Sequence, residues 1–348
     1  MKKSVISCSM FIFLASTILG CETITVATKQ PDWVRSESSK FPNENFLVGV
    51  GTGDNRKAAE ELAYTAISRI FMVEIEQRTM RLIKFFRTDE KNKSTWRKNT
   101  EVNELTEVST QNVLENVSIA EIYLDKKKQA YFALAVMDRQ KAEISLRQRV
   151  NALDRELEGL LKTARESDHK LQRVRLLHQA AGKTFLRDTY NTQLRVVSLT
   201  GTGKEPFTAI SEIQEELQDF LSRNFRILLV VTGPESESIR MAVVEGLSSH
   251  GLTVSYKDMP NADVLIDGSI DFLPVEMPQA KFVKWKASFE IQDLSTGQII
   301  GSVIRGGREG HIDETLAEAR ALKAAQNELS DDLSNRLVKY IFGKKSES

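Results

Sequence analysis

Cysteine and long hydrophobic runs are both scarce in this sequence. Only two cysteines occur in 348 residues, Cys8 and Cys21, and both lie near the N-terminus. The rest of the chain therefore cannot hold a disulfide framework. After residue 21 no apolar run approaches the roughly 20 residues that a membrane-spanning helix needs. Neither disulfides nor a later transmembrane helix are expected to hold this protein together or in place.

Excess charge of either sign is also missing. Lysine and arginine total 48, and aspartate and glutamate also total 48. Proteins that bind nucleic acid usually carry a basic excess that neutralises phosphates. We therefore expect no nucleic-acid partner. The run Lys126–Lys128 is predicted to be a hairpin tip, and Lys344-Lys345 a frayed tail.

The sequence shows no catalytic or metal-binding constellation. The four histidines are scattered along the chain at His169, His178, His250 and His311. Neither an HExxH pattern nor a Gly-x-Ser-x-Gly elbow is present. His178 is predicted to sit at the edge of a core, and Asp313 to cap a helix rather than to bind a metal. We predict no catalytic residue, no metal, no cofactor and no enzymatic activity.

Two glycine-rich segments resemble phosphate-binding loops only superficially. Gly49-Val50-Gly51-Thr52-Gly53 has Asp54 where a dinucleotide fingerprint needs its third glycine, and a carboxylate there would repel a pyrophosphate. Gly201-Thr202-Gly203-Lys204 lacks both the spacing and the Ser/Thr of a P-loop. We predict a tight strand-to-helix turn at the first segment and no nucleotide site at either.

The N-terminus carries a secretion signal. Lys2 and Lys3 precede the apolar run Val5–Leu19, which is too short for a membrane span. Its ending, Ile18-Leu19-Gly20-Cys21, resembles the lipobox of bacterial lipoproteins. That resemblance implies cleavage after Gly20, a diacylglycerol on the Cys21 thiol and an acylated new N-terminus. The alternative is a plain secreted protein with a chance cysteine near its cleavage point.

Lipidation of Cys21 would make the membrane a partner of this chain. Acyl chains contribute about 0.8 kcal/mol per buried methylene, which is enough for durable anchoring. Glu22 follows in place of the aspartate that resembles an inner-membrane retention signal. In a two-membrane cell this predicts an outer-membrane protein that faces the periplasm. Residues 1–20 are thus the predicted signal peptide and 21–40 a polar tether. Trp33 in this tether either docks onto the first domain, which we favour, or contacts a partner.

Residues 41–138 predict a small α+β domain. A short strand leads to a long helix that Asp54 or Asn55 caps. A polar loop (88–100) and a β-hairpin follow. The predicted core-facing stripe of the helix comprises Ala59, Leu62, Ala63, Ala66, Ile67, Ile70 and Val73.

Residues 139–190 predict a helical connector. Apolar residues alternate steps of four and three over five heptads: Leu146, Val150, Leu153, Leu157, Leu160, Ala164, Ser167, Leu171, Val174, His178, Ala181 and Phe185. One continuous helix fits this pattern, as does an antiparallel hairpin; the polar break at 165–168 favours a hairpin that turns near Ser167. Self-association through this heptad seam is a further expectation.

Residues 191–343 predict a second α+β domain, and 344–348 a short tail. The pattern begins with a strand at Gln193–Leu199. A helix (208–222), a strand (226–231), a second helix (235–249) and a short strand (252–256) follow. Three longer strands come next (263–274, 281–293 and 297–305), and a long helix (313–342) ends the domain. The fold class is therefore α+β, with two small mixed-sheet domains joined by a heptad-patterned helical segment.

Two stretches resemble known families. Pro31-Asp32-Trp33-Val34, Phe46–Gly51, the alanine-rich helix 58–70 and the hairpin ending Tyr131–Asp138 are similar to the LPP20 family of bacterial outer-membrane lipoproteins. The strings Ala262–Ile270 and Ala287–Ile300 resemble a periplasmic domain of LpoB-type penicillin-binding-protein activators, CsgG-like curli-secretion proteins and the flagellar protein FlgT. Those proteins differ in function, so this second resemblance implies a fold and a compartment.

These observations together predict a non-enzymatic envelope scaffold or assembly factor that contacts other envelope proteins. The alternative is a binding module for an envelope glycan or lipid. That alternative requires a deep apolar pocket with a few convergent polar groups in the C-terminal domain. A filled core in that domain would argue against it.

Overall fold

The computed structural model describes residues 26–27, 29–35, 37–86, 116–256, 261–277 and 280–343. The predicted signal peptide, Cys21 and the predicted loop at 88–100 lie outside these ranges. Within them, no helix combines the length and the apolar character that a bilayer crossing requires.

The predicted α+β class is confirmed, with two mixed sheets and helices packed against each. The strands are β1 (Val26–Ala27), β2 (Phe46–Gly53), β3 (Val117–Asp125), β4 (Ala130–Asp138), β5 (Ile227–Thr232), β6 (Val254–Ser255), β7 (Val264–Met277), β8 (Ala280–Asp293) and β9 (Gln298–His311). The helices are α1 (Arg56–Phe86), α2 (Arg139–Glu166), α3 (Lys170–Val197), α4 (Ile210–Arg223), α5 (Ser236–Ser248), α6 (Glu314–Glu328) and α7 (Ser334–Ile341).

The N-terminal sheet has the strand order β1-β3-β4-β2. β1 pairs parallel to β3, and the other neighbours are antiparallel. The predicted hairpin is β3–β4, and Lys126–Lys128 form its tip. There Asp125 Oδ1 accepts hydrogen bonds from the backbone N–H groups of Lys127 (3.0 Å) and Lys128 (3.2 Å).

Helix α1 begins after Asn55, whose Oδ1 accepts from the Ala58 N–H at 2.9 Å, as a helix cap requires. Its buried row is Ala59, Ala63, Ile67 and Phe71. The predicted stripe was wrong for Leu62, Ile70 and Val73, which are exposed. Residues four apart advance by about 40° around a helix, so the buried row winds round α1 as it crosses the twisted sheet.

The heptad segment is an antiparallel hairpin and not one long helix. Glu166 ends α2, and His169 caps the start of α3. Leu146, Val150, Leu153 and Leu157 are buried as predicted. Ala164, Leu171, Val174 and Phe185 are also buried as predicted. At three other positions the buried residue is a neighbour of the expected one: Leu161, Leu177 and Ala180 are buried, whereas Leu160, His178 and Ala181 are only partly buried.

The strand predicted at Gln193–Leu199 is wrong, because α3 continues as helix to Val197. Thr192, Val196 and Val197 have β-branched side chains that favour strands. Tyr190, Leu194 and Val197 nevertheless pack into the core of the N-terminal domain, and this tertiary contact overrides the local preference. The predicted boundary at residue 190 therefore falls inside a helix.

The C-terminal sheet has the order β6-β5-β7-β8-β9. β5, β6 and β7 run parallel, and β7, β8 and β9 form an antiparallel meander. The predicted helix at 313–342 is α6 and α7 joined by a π-helical turn at Leu329–Leu333. Helices α4 to α7 contribute buried residues to the core on one side of this sheet.

The helical hairpin is embedded in both hydrophobic cores. Leu146, Val150 and Leu153 belong to the N-terminal core. Leu157, Leu161, Ala164, Leu171, Val174, Leu177 and Ala180 belong to the C-terminal core. Because its seam residues are buried inside one chain, a second copy would have to use another surface.

Candidate functional site: the anchor junction and the interdomain contacts

The folded body begins very close to the predicted lipid attachment point. Val26 in β1 pairs with Ile122 of β3. Only Glu22 to Thr25 separate it from Cys21. An extended chain of that length covers roughly 17 Å. An acyl group on Cys21 would hold the edge of the N-terminal sheet within that distance of a membrane.

Trp33 docks onto the outer face of the N-terminal sheet, as predicted. Its side chain is only 3% exposed and packs with Tyr123, Leu134 and Val136. The indole Nε1–H donates to Glu121 Oε2 at 2.7 Å. The buried indole thus has its polar group satisfied, so the contact combines apolar burial with a charge-assisted hydrogen bond.

The segment after Trp33 is also folded onto the domain. Asp32 Oδ2 accepts from the hydroxyl of Ser39 (2.6 Å) and from its backbone N–H (2.9 Å). The side-chain bond, followed by the backbone bond, holds the pKa of Asp32 below its usual value. Lys40 Nζ pairs with Glu121 at 3.0 Å. The sequence predicted a tether through residue 40, whereas the structure packs this segment against the sheet.

The glycines of the first glycine-rich segment serve helix packing. A β-carbon at Gly49 would lie 2.6 Å from the carbonyl oxygen of Ala63, and one at Gly51 would overlap the backbone of Ala59 and Ala63. Glycine is therefore needed here so that α1 can approach β2 closely. The predicted turn is tight but lies after this segment: Gly49–Gly53 belong to β2, and only Asp54 and Asn55 separate β2 from α1.

The second glycine-rich segment crosses the helical hairpin. The Lys204 N–H donates to Asn191 Oδ1 at 2.7 Å. Lys204 Nζ donates to Asn151 Oδ1 (2.6 Å) and to Asp154 Oδ2 (2.7 Å). The lysine that a P-loop would offer to phosphate is therefore held by side chains of α2.

Arg187, Asp154 and Lys204 form a polar cluster that we call the clamp. Arg187 lies at its centre and is 1% exposed. Its Nε donates to Asp154 Oδ1 at 2.9 Å, and its terminal nitrogen donates to the carbonyls of Lys204 and Glu205. Burial raises the pKa of Asp154, but the bonds from Arg187 and Lys204 outweigh it and hold the pKa below its usual value. The clamp joins α2 and α3 to the segment that leads from α3 into the C-terminal domain.

A second cluster brings a histidine, a serine and an aspartate together. His169 Nε2 lies 2.6 Å from Ser295 Oγ and 3.4 Å from Asp293 Oδ2. Ser295 Oγ donates to Asp293 Oδ1 at 2.7 Å. Burial raises the pKa of Asp293, but the two hydrogen bonds from Ser295 and the nearby His169 outweigh it. The pKa of Asp293 is therefore below its usual value. The cluster attaches the start of α3 to the turn after β8.

This cluster does not have the geometry of a nucleophile-activating triad. In a triad one ring nitrogen faces the serine and the other faces the carboxylate. Here both Ser295 and Asp293 approach Nε2 of His169, and Nδ1 accepts the Gln172 N–H at 3.3 Å. Because Nδ1 is the acceptor in that bond, the neutral ring carries its proton on Nε2 and cannot take one from Ser295. The arrangement is that of a helix cap.

The other histidines have structural partners. His178 stacks on Phe342 at a centroid distance of 4.3 Å, which fits the predicted core-edge position. His250 Nε2 lies 2.9 Å from Asn335 Oδ1. Asp313 caps α6 as predicted, since its Oδ1 accepts from the Leu316 N–H at 2.9 Å. Among the described residues, no three potential metal ligands cluster.

The deep pocket that a ligand-binding module requires is not found in the described part of the C-terminal domain. Its core is filled by large side chains such as Phe225, Phe289 and Trp285. A depression of about 720 Å³ lies on the opposite face of the sheet, around Gly306 and Gly307, and it is open to solvent.

Sequence reasoning missed both polar clusters because their members are far apart in the chain. Ser295 is 126 residues from His169, and Arg187 is 33 from Asp154. One signal was available for the second pair. Folding the heptad pattern back near Ser167 places Asp154 and Arg187 on two facing helices, but about two turns apart along them, so only the tertiary structure shows the contact.

Residues 31–138 match the model of the LPP20 lipoprotein family. The chain therefore carries an LPP20 lipoprotein domain, which contains Trp33, α1 and strands β2, β3 and β4 of the N-terminal sheet. The match indicates a membrane-anchored protein of the bacterial envelope. No curated protein matches the sequence. The LpoB, CsgG or FlgT resemblance of the C-terminal domain stays a prediction.

Several solved structures show a partial likeness. The secreted protein HP1454 of Helicobacter pylori is 14% identical with a TM-score of 0.39, and the alignment covers 82% of this chain and 97% of that one. Lipoprotein GNA1162 of Neisseria meningitidis is 15% identical (TM-score 0.22; 30% and 98% covered). A minor lipoprotein of Acinetobacter baumannii is 12% identical (TM-score 0.24; 34% and 91% covered). At these scores the likeness carries no conclusion about activity or partners.

Proposed function

We propose that this chain is a lipoprotein anchored through Cys21 to the outer membrane, with its body in the periplasm, and that it acts without catalysis as an envelope scaffold or assembly factor. The observation that carries the proposal is the anchor junction. Four residues separate the predicted lipobox cysteine from β1, and β1 pairs with β3 of the LPP20 domain, so the anchor and the folded body form one unit.

The interior of the molecule supports a scaffolding role. One helical hairpin contributes to both hydrophobic cores. The clamp of Arg187, Asp154 and Lys204 joins this hairpin to the segment that leads into the C-terminal domain. The Ser295–His169–Asp293 cluster caps a helix. Polar groups that could suggest chemistry are thus engaged in holding the domains together, which suits a rigid body that presents surfaces to other proteins.

The anchor is tested by Cys21→Ser, with Cys8→Ser as the matched control inside the predicted signal peptide. Cells are labelled with a clickable fatty acid, and outer and inner membranes are separated. We expect Cys21→Ser to lose the label and leave the outer membrane, while Cys8→Ser keeps both. Equal labelling of the two variants would contradict the anchor.

The scaffold role is tested by purifying the lipidated protein from outer membranes with an affinity tag. We expect an envelope protein to co-purify in a fixed ratio from cells that carry the parent chain, and in the same ratio from cells that carry Ser295→Ala. Turnover of an envelope substrate by the parent chain, lost in Ser295→Ala, would instead establish an enzyme.

A further inference from the structure

In the described part of the chain, one side of the C-terminal meander is exposed, and we call it the outer C-terminal face. Alternate residues of three strands point to it. They are Asp267, Ser269, Asp271 and Leu273 on β7, Lys284, Lys286, Ser288 and Glu290 on β8, and Ser302, Ile304, Gly306 and Arg308 on β9. All are exposed except Ser288, which is partly exposed.

Two like-charge pairs lie on this face. Asp267 is directly opposite Glu290, and Lys284 is directly opposite Arg308. Like charges in this position destabilise a sheet. Among the described residues no opposite charge forms an ion pair with any of the four. Lys284 and Glu290 are six positions apart on β8, a distance of about 20 Å, so the pairs cannot neutralise each other. The other two charges of this face, Asp271 and Lys286, lie directly opposite each other. Among the described residues, neither like-charge pair therefore has an opposite charge directly across from it.

The face also carries a projection beside a depression. Ile304 is 56% exposed. Two residues further along β9, on the same face, Gly306 has no side chain and leaves the sheet backbone uncovered. A β-carbon at this position would come within 2.9 Å of the Trp285 carbonyl oxygen. Leu273, Lys284 and Arg308 surround this depression.

We propose that a second copy of this chain packs against the outer C-terminal face. The twofold axis would lie between the two faces, perpendicular to the strands, midway between the Ser288 and Lys286 positions. This places Glu290 opposite Lys284 of the second copy, and Ile304 over Gly306 of the second copy. Because the contact is isologous, each pairing occurs twice.

The size of the face sets the expected affinity. Three strands about 4.8 Å apart and ten residues long have a footprint of roughly 500 Å². A stable interface buries about 800 Å² per partner. We therefore expect a reversible dimer with a dissociation constant on the order of micromolar. The proposal does not depend on the lipid anchor.

The test is sedimentation equilibrium of residues 22–348, which keep both domains, over a concentration range from about 1 μM to 500 μM. Glu290→Lys and Lys284→Glu should each weaken the dimer about tenfold or more, because each places two like-charge pairs at the interface. An equimolar mixture of the two variants should recover near-parental affinity, since every reversed charge then faces its opposite across the heterodimer.

Lys162→Glu, on the exposed side of α2, is the matched control and should leave the dissociation constant unchanged. Circular dichroism and thermal melting check that every variant is folded. A parent chain that stays monomeric over the whole range would overturn the proposal. So would single reversals that dimerise like the parent, or a mixture no tighter than its components.

Discussion

The two sheets of this molecule differ in how they are covered. The N-terminal sheet has α1 on one face and the Trp33 segment on the other. The C-terminal sheet packs its helices on one face, and the other face of its meander is exposed. The first sheet is closed next to the predicted anchor, and the second presents a surface.

The strand sequences explain the difference. Leu134 and Val136 in β4 alternate with Ala133, Ala135 and Met137, so both faces of that strand are apolar. Strand β8 alternates buried apolar residues with exposed charged ones. A continuous apolar run belongs in a sheet buried on both faces, and an alternating pattern in a sheet with one solvated face. Coverage of each sheet is therefore encoded locally.

The largest expected effect comes from breaking the clamp, which joins the helical hairpin to the segment that leads into the C-terminal domain. Asp154→Ala would leave the buried Arg187 guanidinium without its carboxylate, which should cost about 3–5 kcal/mol of unfolding free energy. Urea unfolding measures the loss. The control is Glu156→Ala, whose half-exposed carboxylate pairs with Lys183 and should contribute less than about 1 kcal/mol. Equal losses in the two variants would contradict the clamp.

A pair of truncations tests the comparison of the two outer faces directly. Leu134 is fully buried under the Trp33 segment, so Leu134→Ala should cost about 2–5 kcal/mol. Ile304→Ala on the outer C-terminal face should change the stability of the monomer by less than about 0.5 kcal/mol. Denaturant unfolding at low protein concentration measures both. A large loss for Ile304→Ala would mean that the face is covered in the monomer.

A smaller effect is expected where α1 meets the N-terminal sheet. Gly51→Ala forces a methyl group into the backbone of α1 and should cost about 1–3 kcal/mol. Gly159→Ala is the matched control, because a β-carbon there meets no atom within 4 Å inside helix α2. It should stabilise the protein by about 0.5–1 kcal/mol. Thermal unfolding distinguishes the two signs, and destabilisation by both variants would contradict the close approach.

The smallest effect is expected from acid. The partly buried carboxyls with lowered pKa values lie in the clamp and in the C-terminal region. The pKa values of Asp154, Asp293 and Asp332 are lowered in the folded protein; for Asp332, burial opposes this and Arg305 and Arg336 outweigh it. Carboxyls with lowered folded-state pKa values contribute stability above the unfolded value of about 3.9. That stability is lost as pH falls through the lowered pKa values.

The melting temperature should therefore be steady from neutral pH down to about pH 5 and fall below about pH 4. Asp332→Asn should have a shallower fall than the parent, because one of the titrating groups is absent. An identical acid profile in the parent and the variant would show that Asp332 makes no such contribution.

Much of the fold was predictable because its signals are local. The β3–β4 hairpin, the long helix after Asn55 and the three strands of the C-terminal meander follow from residue periodicity and turn residues. The helical structure of α3 beyond Tyr190 was not predictable from local signals. The segment Gln193–Val197 favours a strand, and only its burial against the N-terminal core makes it helical. The exposure of Leu62, Ile70 and Val73 on α1 was also missed, because it depends on how the helix crosses the twisted sheet.

The candidate sites divide in the same way. Cys21 is readable from its immediate neighbours, because a signal of this kind acts on a short segment of chain. The clamp at Arg187 and the cap at His169 join residues that only the hairpin and the sheet bring together.

By itself the sequence determined the class of fold, the candidate lipid attachment residue and the alternation that leaves one side of β8 polar. These properties depend on neighbours a few positions away. Tertiary structure decided that the heptad segment turns back on itself, that Trp33 is buried against Glu121, and that two like-charge pairs meet on one open face. Each of these depends on segments distant in the chain, because pairing register and burial exist only once the sheets have assembled.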